Sequence, residues 1–100
     1  MDVVFKNNRL KRCYERQQEG VKKWGPKIAR VYVDRVNRLY AVRTAHELSA
    51  FPELRFHPLE GDRKGEWAMD LDEYWRLIVT FQDRNMTVVR VKEVSDHYGD

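Results

Sequence analysis

The chain contains one nearly continuous β-prone stretch, Tyr74-Trp75-Arg76-Leu77-Ile78-Val79-Thr80-Phe81. Aromatic and β-branched residues favour the extended conformation because their side chains pack well on a pleated surface. A strand that is apolar at nearly every position is typical of one buried on both faces, whereas a half-exposed strand alternates between apolar and polar residues. We therefore predict a central strand at residues 74–81.

Shorter strand patterns flank this stretch, with polar turns between them. Leu54-Arg55-Phe56-His57 alternates and is ended by Pro58, and the turn Glu60–Gly65 leads into a second alternating run, Glu66–Leu71. After the central stretch, a polar turn leads into the alternating run Thr87–Val94. Loops this short join antiparallel neighbours, because parallel strands need a long crossover. The second half of the chain is thus predicted to be a four-stranded antiparallel meander.

The first half has helical spacing instead. Asn7 or Asn8 is placed to cap a first helix, which Gly20 is expected to end. Pro26 suits the first turn of a second helix, whose apolar stripe continues to about Val42. These two helices, joined by a short Gly-Pro turn, form a predicted helical hairpin.

The order of elements indicates the fold class. A first strand at Val3-Val4-Phe5 precedes the two helices, and Thr44 with Glu47 predicts a capping box that opens a short helical turn before the meander. Helices gathered at one end of the order and strands at the other favour an α+β fold, with the helices packed on one face of a mainly antiparallel sheet. The length of 100 residues corresponds to one domain over residues 1–100.

Composition bounds the cellular setting. No apolar run approaches the length of a membrane span, and the N-terminal residues lack the long apolar segment of a signal peptide. Cys13 is the single cysteine, so neither an internal disulfide nor a cysteine-based zinc site is expected. We expect a cytoplasmic protein with no membrane association.

Charge is distributed unevenly along the chain. The formal net charge is +3, but residues 1–43 carry an excess of eight positive charges and residues 44–100 an excess of five negative ones. A basic half favours a polyanion or an acidic protein as partner. A solvated helix face explains the same charges equally well.

The polar residues of the second half suit metal-independent cleavage of RNA. The three histidines, at positions 46, 57 and 97, do not form a compact metal-ligand motif, and there is no glycine-rich phosphate loop, so we expect no metal and no cofactor. Attack of a ribose 2′-hydroxyl on the adjacent phosphorus needs an acid, a base and a cation. The strand-rich half supplies candidates for all three roles, namely His57, Arg63, Lys64, Arg76, Asp96, His97 and Tyr98.

Two of these candidates stand in informative positions. His57 comes at a predicted strand end before Pro58, which suits a side chain fixed at a sheet edge. Arg76 lies within the most apolar strand, where an arginine is costly unless it is paired or points into a site. The alternative for Arg76 is a structural ion pair with an acidic residue nearby, for which the candidates are Asp70, Asp72 and Glu73.

Three motifs resemble those of one toxin family. The segment Phe56–Trp67, with His57-Pro58-Leu59 and Gly61-Asp62-Arg63-Lys64-Gly65, is similar to the signature of HigB toxins, the plasmid-maintenance killer branch of the RelE/ParE superfamily. The strand Tyr74–Phe81 resembles that family's Trp-Arg strand. The segment Lys92–Gly99 resembles its C-terminal tail. The three segments occur in the family's order and spacing.

The resemblance implies a RelE-like, microbial-ribonuclease-type fold and an endoribonuclease that cleaves mRNA in the ribosomal A site and so inhibits translation and arrests growth. It also implies a HigA-like antitoxin with a helix-turn-helix domain as partner, together with the ribosome and mRNA. By this resemblance His57 and His97 share acid–base work and Arg76 stabilises the phosphorane. Asp96 orients His97 or positions the substrate, and Tyr98 stacks on a base or orients the 2′-hydroxyl. Basic side chains then hold the RNA backbone, namely Lys11, Arg12, Arg63 and Lys64.

The sequence departs from the family pattern at two places. Glu60 stands where the family often has lysine, and the tail reads His97-Tyr98 where the family has tyrosine before histidine. Two other functions therefore stay open: a ParE-like inhibitor of gyrase, and a catalytically inactive relative that acts only by binding a transcription factor resembling an antitoxin.

Overall fold

The computed structural model describes residues 1–96, which form a sheet and three α-helices. The elements are β1 (Asp2–Phe5), α1 (Asn8–Glu15), α2 (Gln17–Trp24), α3 (Pro26–Ala41), β2 (His57–Pro58), β3 (Trp67–Asp70), β4 (Arg76–Phe81) and β5 (Val88–Ser95). Three short 3-10 helices lie in the connections, at Ala45–Ala50, Pro52–Leu54 and Gly61–Arg63. No helix within these residues is long and apolar enough to cross a membrane.

The sheet has the order β1-β5-β4-β3-β2. The strands from β2 to β5 pair antiparallel in the order of the chain, as the short loops predict. β1 lies at the edge, parallel to β5. The strand of the apolar stretch, β4, is in the middle, and the predictions of its central place and of an α+β fold are confirmed.

One face of the sheet is covered by the helices and carries the main core. Side chains from β4 and β5, such as Leu77 and Val91, pack with Tyr32, Val36 and Leu39 of α3, and all are fully buried. Residues paired across antiparallel strands point to the same side, so the sheet pairing identifies the residues of the other face. We call the side opposite the α-helices the open face, on which Leu59 buries Ala68 and Ile78 in a second, small apolar cluster. The open face carries His57, Ala68, Asp70, Arg76, Ile78, Glu93 and Ser95.

The helical half differs from the prediction at two points. Gly20 does not end a helix, because it lies inside α2, and the interruption occurs instead at Arg16, whose extended backbone (φ −133°, ψ 102°) separates α1 from α2. Gly20 serves the packing of α2 on α3, since a Cβ atom at this position would lie 3.1 Å from the Cβ of Ala29. The hairpin across Gly25 is present, and Pro26 begins α3 as predicted.

The predicted strand over residues 54–58 is much shorter in the structure. Leu54 ends a 3-10 turn that Pro52 begins, and Arg55 adopts a left-handed backbone (φ 46°) that breaks the extended run. Strand β2 therefore contains only His57 and Pro58. Pro58 lies in the strand at the sheet edge, where its missing N–H costs no ladder hydrogen bond.

Two local helix signals are confirmed. The side chain of Asn7 accepts a hydrogen bond of 2.9 Å from the backbone N–H of Leu10 and caps α1. Thr44 and Glu47 form a reciprocal capping box at the start of the 3-10 helix Ala45–Ala50. Both satisfy backbone donors that the first helical turn leaves without partners.

Candidate functional site

The open face brings two rows of candidate residues side by side. One row runs across the sheet from His57 through Ala68 and Ile78 to Glu93. The next row contains Asp70, Arg76 and Ser95 (listed across β3, β4 and β5). The sheet register therefore places His57 and Arg76 on the same surface, although 18 residues of a loop and a hairpin separate them in sequence.

Arg76 is held in a largely buried position beside a carboxylate. It is 9% exposed, and its Nε lies 4.0 Å from Oδ1 of Asp70, its partner across the strands. Asp70 also lies 3.5 Å from the Nη1 of Arg55, and its backbone carbonyl accepts a hydrogen bond of 3.0 Å from the Nε of Arg35. Of the three acidic residues proposed as structural partners of Arg76, Asp70 is the one found at ion-pair distance in the described structure.

The ring of His57 has a defined hydrogen bond on one side. Its Nδ1 lies 2.6 Å from the backbone oxygen of Arg55. A carbonyl oxygen only accepts, so Nδ1 carries the hydrogen, and in the neutral ring Nε2 is left as the acceptor. The left-handed backbone of Arg55 (φ 46°), which shortens β2, thus accompanies a carbonyl placed to fix the tautomer of His57.

The distance between these two residues suits a substrate between them. They lie two strands and two residues apart in the sheet register, which corresponds to about 12 Å between their Cα atoms. At this separation a guanidinium and an imidazole can contact opposite sides of one phosphodiester group. Beside them, a cavity of about 390 Å³ is lined by acidic and basic residues, which include Arg35, Arg55, Asp70 and Asp72.

A network of four charged side chains lies on another part of the open face. Arg63 and Glu66 come from the loop between β2 and β3, and Lys92 and Glu93 come from β5. Nε of Arg63 lies 2.7 Å from Glu66, and the same guanidinium pairs with Glu93 while Lys92 pairs with Glu66. Burial opposes ionisation of Glu66, but the hydrogen bonds from Lys92 and Arg63 outweigh it, so the pKa of Glu66 lies below its ordinary value.

A β-bulge explains how β5 supplies two consecutive charges to this network. Ile78 pairs with Glu93 and Val79 with Val91, so Lys92 is the extra residue. The bulge keeps Val94 opposite Leu77 on the helix-covered face while Glu93 lies on the open face. Sequence reasoning missed Lys92 and Glu66, although the three-residue spacing of Val91 and Val94 in an alternating run was a signal of the bulge.

The remaining predicted site residues are placed differently. Lys64 is exposed in the loop beside Arg63, whose own side chain is engaged with two carboxylates. Lys11 and Arg12 are exposed on α1, which packs on the helix-covered side of the sheet, so they do not lie on the open face. Asp96 is exposed and directly follows Ser95, the strand partner of Arg76. His97 and Tyr98 lie outside the described residues.

Solved structures of bacterial proteins share this fold. A YoeB/ParE toxin from Agrobacterium tumefaciens superposes with a TM-score of 0.58 over 98% of this chain and 100% of its own, at 18% identity. YafQ from E. coli BL21(DE3) gives 0.62 over 96% and 92% of the two chains, at 14% identity. The YoeB–YefM complex from Staphylococcus aureus gives 0.54 over 98% of each chain, at 16% identity. These similarities confirm the predicted RelE-like fold.

Sequence similarity is higher to a curated relative. The chain is 43% identical over 53 residues to a protein named Endoribonuclease HigB from Proteus vulgaris, and the match covers 50% of this chain and 55% of that protein. The match thus spans about half the length of the relative. Residues 3–93 match the family described as the RelE-like toxin of type II toxin–antitoxin system HigB. The resemblance inferred from the three motifs is therefore confirmed, and the chain belongs to the family of HigB-like toxins.

Proposed function

We propose that this chain is an endoribonuclease that cleaves mRNA without a metal ion and acts as the toxin of a type II toxin–antitoxin pair. The observation that supports this most directly is the arrangement of His57 and Arg76 on one face of the sheet. Asp70 holds the guanidinium at one end and the Arg55 carbonyl orients the imidazole at the other. The name of the Proteus vulgaris relative agrees with this activity.

The proposed reaction is an internal transfer at phosphorus. The 2′-hydroxyl loses its proton to a base and attacks the adjacent phosphorus, while the 5′-oxygen leaves with a proton from an acid, which gives a 2′,3′-cyclic phosphate and a 5′-hydroxyl. His57 and His97 share the two proton transfers, and Arg76 stabilises the charge that develops on the phosphorane oxygens. The planar fork of a guanidinium suits this role because it can donate two hydrogen bonds to phosphate.

Residues around this pair complete the proposed site. Asp96 orients His97 or positions the substrate, and Tyr98 stacks on a base or orients the 2′-hydroxyl. Lys64, together with Arg63 when RNA competes for it, contacts the RNA backbone at the edge of the open face. Lys11 and Arg12 make their RNA contacts from α1, away from this face.

The cellular context is proposed from the family. The substrate is mRNA in the ribosomal A site, so the protein acts in the cytoplasm. The Staphylococcus aureus neighbour was solved as a complex of YoeB with YefM, which supports an antitoxin partner for this chain as well. We propose a HigA-like antitoxin with a helix-turn-helix domain.

Brief induction in growing cells, followed by mapping of mRNA 5′ ends, tests the activity. Wild-type protein is expected to arrest growth and to produce new 5′ ends, whereas His57→Ala and Arg76→Ala are expected to do neither while keeping a folded circular dichroism spectrum. His46→Ala and Arg84→Ala are matched controls, because both residues are exposed and lie outside the proposed site.

Three results would contradict the proposal. A fully toxic Arg76→Ala variant would remove the role given to this residue. Supercoiling defects with intact mRNA would indicate inhibition of gyrase. Harmless expression of the wild-type protein would indicate a relative that acts by binding alone.

A further inference from the structure

A second cationic feature lies away from the open face, between α1 and α2. Arg9, Arg12 and Cys13 lie at helical positions i, i+3 and i+4 of α1, and three residues of α2 repeat this spacing, namely Glu19, Lys22 and Lys23. The break at Arg16 lets the two short helices turn these stripes toward each other. Together they line a groove of about 260 Å³, which we call the α1–α2 groove.

The groove holds more positive charge than its own residues neutralise. Glu19 is its single carboxylate and lies 3.4 Å from the Nζ of Lys22. Within residues 1–96, no carboxylate comes within 4.0 Å of Arg9, Arg12 or Lys23 (the ion pairs all involve other cations). The open face differs, because Arg63, Arg76 and Lys92 each have a carboxylate beside them there. Convergent cations without counterions create a positive potential that attracts an anion.

The floor of the groove does not supply the missing negative charge. Cys13 is 1% exposed, and burial raises the pKa of its thiol, so it stays neutral. A neutral, weakly polar floor between guanidinium groups suits phosphate oxygens, which arginine can bind through two parallel hydrogen bonds.

The α1–α2 groove continues toward the proposed catalytic face. A second groove of about 160 Å³ shares Arg9 and Lys23 with it and adds Lys92, Glu93 and Val94 of β5. Lys92 also pairs with Glu66 in the charge network of the open face. A row of cations therefore leads from α1 past the part of β5 that follows its pairing with β1, at residues 92–94, to the face that carries Arg76.

We propose that the α1–α2 groove is a second anion site that binds the phosphodiester backbone of RNA extending from the catalytic face. This inference rests on the proposed function, because the continuity with the open face is what favours RNA over an acidic protein segment. Arg9, Lys22 and Lys23 thereby join Arg12 as RNA ligands, and Lys92 lies where the strand passes from one site to the other.

Binding of a single-stranded 2′-O-methyl dodecanucleotide tests the site, because RNA without a free 2′-hydroxyl is bound but not cleaved. Its affinity is measured by fluorescence anisotropy between 50 and 300 mM NaCl for the full chain. Arg9→Gln/Arg12→Gln removes two phosphate contacts. It should make the negative slope d log K/d log [NaCl] shallower by about 1.4, and it should weaken binding at 100 mM NaCl by about 20-fold.

The matched control removes the same charge elsewhere. Arg30→Gln/Arg84→Gln changes two exposed arginines outside both grooves and should weaken binding less than about threefold. Equal losses in the two double variants would overturn the inference, because they would show that net charge alone attracts the RNA. An acidic dodecapeptide is tested in the same way. If it competes with the RNA at equal concentration, and if Arg9→Gln/Arg12→Gln no longer binds it, a protein segment is the occupant instead.

This test is separable from that of the proposed activity. If the wild-type protein does not cleave mRNA on induction, the proposed nuclease activity is wrong. A measured affinity of the α1–α2 groove for RNA is unaffected by that result. Groove variants that bind RNA normally, in a protein that does cleave mRNA, would overturn only the second site.

Discussion

Asp70 and Arg76 face each other across β3 and β4, with Oδ1 of the carboxylate 4.0 Å from Nε of the guanidinium. Arg35 donates to the backbone carbonyl of Asp70, and Arg55 lies on the other side of its carboxylate. Asp70 is thus contacted by three arginines from three different parts of the chain, two at its carboxylate and one at its backbone carbonyl. It offsets the cost of keeping the charged Arg76 in a position that is 9% exposed.

Asp70→Asn is expected to lower mRNA cleavage by about tenfold, since a neutral amide orients the guanidinium less firmly. The measurement is the yield of new mRNA 5′ ends after brief induction. Glu73→Gln is the control, because Glu73 is an exposed carboxylate in the neighbouring turn. Unchanged cleavage in a folded Asp70→Asn protein would show that Arg76 needs no positioning by this carboxylate.

Glu66→Gln is expected to lower the free energy of unfolding by about 1–2 kcal/mol, because it removes the charge that binds both Arg63 and Lys92 on a partly buried surface. Urea denaturation at pH 7 measures this loss. Glu53→Gln should change stability by less than about 0.5 kcal/mol, since that carboxylate is half exposed and 4.0 Å from Arg38. Equal effects of the two substitutions would contradict the role of the network.

The difference in stability between wild type and Glu66→Gln is expected to depend on pH. The pKa of Glu66 in the folded protein lies below its ordinary value of 4.5, so the unfolded chain takes up the proton first as the pH falls. The stabilisation by the ionised carboxylate is complete above the unfolded pKa and is lost as the pH falls through the folded one. The difference in unfolding free energy between wild type and Glu66→Gln should therefore be constant near pH 7 and shrink below about pH 4.5. A difference that grows toward acid pH would contradict this.

Tyr32→Phe is expected to cost about 1 kcal/mol of stability, because the fully buried hydroxyl donates a hydrogen bond of 2.7 Å to the backbone oxygen of Leu10 and ties α3 to α1. Tyr14→Phe is the matched control, since the Tyr14 hydroxyl bonds to Asn37 at the surface, where water can replace it. Thermal or urea unfolding should separate the two variants. If Tyr14→Phe were the more damaging, the buried bond from Tyr32 to Leu10 would be the weaker of these two ties between α1 and α3.

Gly20→Leu is expected to lower stability by about 1–3 kcal/mol, because even a Cβ would lie 3.1 Å from the Cβ of Ala29. The same side chain introduced by Val21→Leu, one residue further along α2 at an exposed position, should change stability by less than about 0.5 kcal/mol. Comparison of their unfolding midpoints checks the prediction. A stable Gly20→Leu protein would mean that α2 can move away from α3 at little cost.

Features governed by local chemistry could be predicted from the sequence. The central place of β4 follows from its apolar composition, and the cap at Asn7 and the capping box of Thr44 and Glu47 follow from side-chain hydrogen bonds to nearby backbone. The same strand patterns predict His57 at a strand end and Arg76 within the central strand, and the two residues lie in β2 and β4.

Features that depend on contacts distant in sequence could not be predicted in this way. Gly20 looks like a helix terminus because glycine is a poor helix former, and only the approach of Ala29 explains it inside α2. Arg55 looks like part of an alternating strand, but its backbone is left-handed, and its carbonyl meets the ring of His57. From the sequence alone Arg63 is a candidate to bind RNA, but in the structure the bulge in β5 brings Glu93 beside it.

The parallel pairing of β1 with β5 has a consequence for the order in which the protein is made. Val3 pairs with Val89, whereas each of the other strand pairs joins neighbours in the chain. During vectorial synthesis β1 therefore leaves the exit tunnel long before its only sheet partner, and a contact of such high sequence separation closes late in folding. The strand that completes the sheet also supplies Ser95 beside Arg76. A nascent chain therefore lacks the assembled open face, with Ser95 beside Arg76, until β5 has been made.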